Sequence, residues 1–192
     1  MYSFAKLTTL AVFAFSTLVS AVPVAESVAA SQVRGVEKRA QTVEDILNSL
    51  NTQLQPFATQ LNAFTADSAT PDAVTPVVGN IQSTIQSTVD QLNALPAGSI
   101  QGGNFLGALT TVMGTALNPA NNVANVAGDN KVVIIPVFSP LGVVLAALVS
   151  SVLGLVGGIL GSLIFLLVSL LGDLTAIIIN LHLTVLITLL GI

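Results

Sequence analysis

The chain has 192 residues, 53% of them hydrophobic and only 7% charged, with five basic residues, nine acids and a formal net charge of −4. So few cations exclude nucleic-acid binding, which needs several phosphate-neutralising side chains. The absence of cysteine excludes disulfide scaffolds, thiol chemistry and cysteine-ligated metal.

The first residues carry the three-part pattern of an export signal. Lys6 precedes an apolar run from Leu7 to Val19, too short to span a bilayer, and Val19-Ser20-Ala21 offers small or tolerated residues at a cleavage position. The expected signal peptide is therefore 1–21, cut after Ala21. Lys38-Arg39 followed by Ala40 is the dibasic site read by kexin-type proteases of the fungal secretory pathway, which makes 22–39 a pro-segment. Removal of both segments leaves Lys131 as the sole basic residue against seven acids, a formal charge of −6. Such a chain has no electrostatic attraction to anionic lipid headgroups.

Residues 40–98 form an amphipathic helical region. Val43, Leu47, Leu50, Leu54, Phe57, Leu61 and Phe64 step by four and three, the spacing of one helical stripe. Thr42 with Asp45 resembles a capping box. Pro56 removes a backbone donor and is expected to kink or split this helix near Gln55. A second helix starts with Thr70 as N-cap and Pro71 at the first position, with Pro76 placed in the tolerant first turn. It aligns Val74, Val78, Ile81, Ile85, Val89, Leu92 and Leu95 and ends at "LPAGS". The flanks of both stripes are Gln, Asn, Thr and Ser rather than the charges of a coiled coil, so antiparallel helices over a shared core are the favoured arrangement.

Residues 99–131 read as a weak helix and a linker. Phe105, Leu109, Val112 and Leu117 share a face, and the pattern is expected to stop before Asn118-Pro119, leaving "NPANNVANVAGDN" as loop.

Residues 132–192 are a hydrophobic helical region in which 38 of 61 residues are Val, Ile, Leu or Phe. "KVVIIPVFSP", broken by Pro136 and Pro140, reads as a short extended connector. Beyond it Gly142, Ala146, Ser150, Gly154, Gly158 and Ser162 recur every four residues, a ladder of small side chains that lets another helix approach closely. Gly172-Asp173 marks a turn. The following segment has a polar strip of Asn180, Thr184 and Thr188, led by Ala176. A helical hairpin results, with the ladder receiving the second arm and the strip hydrogen-bonding inside. No Lys or Arg flanks either arm, so the usual orientation signal of a membrane protein is missing. Leaving this region in water is too costly: burying one large aliphatic side chain is worth about 1.5–3 kcal/mol, against a whole-domain stability of about 5–15 kcal/mol. It must be wrapped by the amphipathic helices, self-assembled, inserted in lipid or spread at an interface.

No pattern organises a reaction. His182 is the only histidine and stands among aliphatics in "NLHLTV", and a triad needs a base beside a nucleophile. No clustered ligands suggest a metal, and no cofactor motif is present. Catalytic, metal and cofactor residues are therefore expected to be none.

The export signal with "EKRA" processing, the polar helical stretch "NSLNTQLQPFATQLNAF" and the cysteine-free hydrophobic region together resemble small secreted hyphal-wall proteins of mushroom-forming fungi that are not hydrophobins. The polar half is more loosely similar to fungal hydrophobic-surface-binding proteins. The resemblance implies a non-enzymatic wall protein acting in hyphal attachment and aerial growth. Its expected partners are further copies of itself, wall polysaccharide or hydrophobic surfaces. The alternative is a surface protein anchored in a lipid membrane by the 141–192 hairpin. The fold class expected throughout is all-α.

Overall fold

A computed structural model describes residues 41–100, 102–156 and 160–192. The expected signal and pro-segment lie outside these residues, as do Ala21, Lys38, Arg39, Ala40 and Gly158.

The fold is all-α, with no strand among the described residues. Helix α1 (Val43–Asn62) opens on the capping box: the Asp45 N–H donates to Thr42 Oγ1 at 3.1 Å, and the Thr42 N–H donates to the Asp45 carboxylate at 3.1 Å. The helix runs through Pro56 without splitting. Helix α2 (Pro71–Asn93) begins where Thr70 accepts the Ala73 N–H, with Pro71 at the first position. Pro76 falls one turn later than expected, at the sixth residue, and α2 continues past it. Both stripes face inward, with only Phe57, Phe64 and Leu95 partly exposed.

Helix α3 (Phe105–Val126) overturns the expected loop. It continues through Asn118-Pro119 for two further turns, because Pro119, Ala120, Val123 and Ala124 are all buried. An interior proline costs a helix about 3 kcal/mol, and this burial in the core offsets it. A second correction concerns "KVVIIPVFSP". It is helical, as a short α4 (Lys131–Ile134) and a 3-10 turn (Ile135–Phe138) leading into α5 (Ser139–Leu155). Pro136 and Pro140 stand in first-turn positions, where a proline lacks nothing the helix needs. Ile134 and Phe138, four residues apart, are both completely buried.

The continuous helix implied for 141–171 is broken. Helix α5 ends at Leu155, and α6 (Leu160–Leu171) is a separate element. Gly172 takes a left-handed φ of +47°, and the chain turns by 89° into α7 (Leu174–Asn180). A further turn at His182 separates α7 from α8 (Thr184–Leu190).

The helices close into a ring. α1 lies between α2 and α3, α2 also packs on α5, and the short α6, α7 and α8 bridge from α3 back to α5. The Asn104 N–H at the start of α3 donates to Glu44 at the start of α1, so these two helices run parallel. The Gly98 N–H donates to the Leu155 carbonyl, bringing the ends of α2 and α5 together. One aliphatic core runs from Val43 to Leu190 through the polar and hydrophobic regions alike. The amphipathic helices are thus one wall of the core that buries the hydrophobic segment.

Candidate functional site: an apolar outer face

The wrapping is incomplete, and the gap falls within one stretch of the chain. Every large hydrophobic side chain that is exposed among the described residues lies between Val132 and Val185.

Helix α6 makes the sharpest case. Ser162, Phe165, Leu166, Ser169 and Leu170 are its exposed positions, spaced as one helical face, while Leu167 and Leu171 are buried opposite. A helix on a water-facing surface normally turns polar residues outward. Here Phe165 is 74% exposed, Leu166 50% and Leu170 52%. Val132 on α4 (80%), Val143 on α5, Ile179 on α7 and Val185 on α8 add to the apolar surface. On the polar side, by contrast, hydroxyls on outward faces fold back onto their own helices. Thr52 donates to the Asn48 carbonyl at 3.0 Å and Thr84 to the Asn80 carbonyl at 2.8 Å. Between α1 and α3, Thr115 donates to Asn51 at 2.7 Å and Asn122 to Asn62 at 3.3 Å.

The small-residue ladder is only partly a packing device. Gly142 and Ala146 are buried, and a Cβ on Gly142 would stand 3.1 Å from Leu183 Cβ. The first rung therefore does receive the second arm. Ser150 and Gly154 are exposed, a Cβ on Gly154 would meet nothing within 4 Å, and Ser162 belongs to the outer face of α6. The polar strip also departs from expectation. Asn180, Thr184 and Thr188 are all exposed, and Thr188 donates to the Thr184 carbonyl of its own helix at 2.9 Å. The reason is register. With Leu186 and Leu190 buried, the positions two residues earlier on so short a helix are turned outward.

Two apolar cavities adjoin α8. One, of about 530 Å³, is bounded by Val132, Ile135 and Pro136 on one wall and by Leu181, His182 and Thr184 on the other. The second, of about 520 Å³, lies between Val143 and Ala147 of α5 and Val185 and Leu189 of α8. Sequence reasoning missed both, since they depend on the turn at His182. His182 is the one non-glycine residue in the left-handed region among the described residues, and a histidine in the sequence gives no sign of its φ.

Among the described residues no three or more His, Cys, Asp or Glu side chains cluster as a metal site. One helical run, Gly128–Leu155, is long and apolar enough to cross a membrane, with a mean hydropathy of 2.6, and half of its most apolar window is buried in the fold. No family model, curated protein or solved structure matches the chain.

Proposed function

We propose that the chain is a non-enzymatic structural or adhesive protein, exported to the cell wall, that acts at hydrophobic surfaces. The observation that carries this reading is the apolar outer face of α6, where Phe165, Leu166 and Leu170 are all exposed. The outward faces of α1 and α2 offer neutral amides and hydroxyls to water or wall polysaccharide. Covering each of the three α6 side chains, already half buried or less, is worth about 1 kcal/mol. Adsorption through that face is thus favourable without unfolding. The alternative, a bilayer anchor made by residues 141–192, is less supported, because α5 would have to leave the core that it shares with α2.

The test uses the full chain secreted from a fungal host, with a variant carrying Phe165→Gln, Leu166→Gln and Leu170→Gln. Truncation before Leu141 is unsuitable, since it would remove much of the shared core. The variant is expected to keep its melting temperature and to lose more than tenfold in adsorption to alkylated beads, given about 1 kcal/mol per side chain. Recovery of the parent chain solely in carbonate-washed membranes would sink the surface reading in favour of the anchor.

A further inference from the structure

Helices α6 and α7 meet at 89°, yet their faces stay in step as if they were one helix. The buried positions are Leu167 and Leu171 on α6 and Leu174 and Ile178 on α7, successively four, three and four residues apart. The exposed polar or small positions Ser162, Ser169, Asp173, Ala176 and Asn180 follow one another at seven, four, three and four residues. On a continuous α-helix this second set falls within about 40° of one line, and the first set lies opposite it. A right-angled pair does not require such a register, since each short helix could bury any of its sides.

The break between them is a single residue. Gly172 holds φ +47°, is exposed, and has open space where a Cβ would stand. Asp173, at the N-cap of α7, makes no side-chain capping bond. The turn is closed by Thr175, whose N–H and hydroxyl both donate to the Gly172 carbonyl. Glycine moves between left-handed and right-handed backbone without a Cβ penalty. With Gly172 right-handed, α6 and α7 become one run, and the two pieces together are long and apolar enough to cross a membrane. In water that run is disfavoured, because Leu167, Leu171, Leu174 and Ile178 would lose the cover of the core.

We propose that α6 and α7 form a hinged amphipathic helix that straightens about Gly172 at an apolar surface. This rests on the adsorption reading above and adds the step that follows first contact. In the bent form a surface meets the outer face of α6 with Ser162 and Ser169 among its apolar side chains. In the straight form the line from Ser162 to Asn180 faces water, and the surface covers the stripe from Leu167 to Ile178. The surface shifts the balance because it binds the straight form better. A helix with one polar line lies in the plane of an interface. Asp173, at its middle, opposes crossing a bilayer, where a central charge is costly. Straightening moves Ser162 and Asn180 apart by roughly 8 Å. The four-residue connector before α6 and the three-residue connector after α7 can supply this at about 3.3 Å per extended residue.

The chain has no cysteine, so Ser162→Cys with Asn180→Cys gives two unique spin-label sites on the secreted full chain. The distance between the labels is measured in solution and on alkylated beads. The bent form separates the two positions by roughly 19 Å and the straight form by roughly 27 Å, at about 1.5 Å per residue. The expected result is the short distance in solution, the long one on the beads, and unchanged helix content in the amide infrared band. Gly172→Ala disfavours the left-handed turn and should raise the long-distance fraction. Gly172→Asn, which tolerates that backbone better, should stay closer to the parent. Adsorption with the short distance retained would overturn the hinge and leave the adsorption reading standing. Failure to adsorb would overturn both. A long distance with lost helix content would mean unfolding and would also overturn the hinge, as would a smaller long-distance fraction in Gly172→Ala.

Discussion

Helices α1 and α6 bury similar aliphatic faces and turn opposite chemistry outward. On α1 the inner side is Leu47, Leu50, Leu54 and Leu61, and the outer side is Asn48, Ser49, Thr52 and Gln53. On α6 the inner side is Leu167 and Leu171, and the outer side is Phe165, Leu166 and Leu170. The inner faces specify where each helix packs, and the outer faces specify what each meets. Thr52 and Thr59 on the outside of α1 donate within their own helix and keep their oxygen lone pairs, with the outer amides, for water or a polar partner. The outside of α6 gains by being covered. The difference separates two uses of hydrophobic residues in one molecule, folding and contact, and substitution can tell them apart.

The largest expected effect is in the shared core. Phe138 is completely buried where the 3-10 turn meets α2 and α5. Phe138→Ala should cost about 3–5 kcal/mol, read as a lower denaturation midpoint, whereas the Phe165 substitution on α6 should leave that midpoint in place. Equal losses at both positions would break the distinction between inner and outer residues. The next effect is inside the ladder. Gly142→Leu drives a side chain into Leu183, already 3.1 Å from where a Cβ would stand, and should cost about 1–3 kcal/mol by overpacking. A neutral result in thermal unfolding would mean that α8 does not rest on α5. On the polar side, Thr42→Ala removes the capping acceptor of α1 and should cost about 1 kcal/mol, again measured by denaturant unfolding.

These substitutions also show which features were legible. The stripes of α1 and α2 could be read because most of their apolar positions are flanked by polar residues, so the pattern names its inner face. Thr42 and Thr70 could be read because capping is local chemistry. Residues 118–126 could not, since Asn118-Pro119 is a stop signal by local rules and only burial in the core overrides it. The hydrophobic region is the harder case. When most positions are Val, Leu or Ile, periodicity cannot say which face turns out, so the exposure of Phe165 and the burial of Leu167 carry no sequence signature. The ladder shows the same limit, for its four-residue spacing holds on both sides of Leu155, where α5 ends. The strip of Asn180, Thr184 and Thr188 reads as one line only while a single helix is assumed, and the left-handed His182 divides it.

The smallest effect tests the far end of that ladder and has the opposite sign. Gly154 lies in the last turn of α5, exposed, with nothing within 4 Å of where a Cβ would be. It is not among the residues of positive φ, so an alanine there can keep the backbone. If Gly154 is there only as a rung for a packing partner outside the fold, alanine should leave folding stability higher by about 0.5–1 kcal/mol, the helix-propensity gain over glycine, while weakening any self-association that uses the rung. Sedimentation of the secreted chain, run beside its unfolding curve, separates the two. A gain in stability with unchanged association assigns Gly154 no packing role and confines the ladder to the rungs beneath α8. A loss of stability would mean that Gly154 has close neighbours or a strained backbone in solution, contrary to the open space around it.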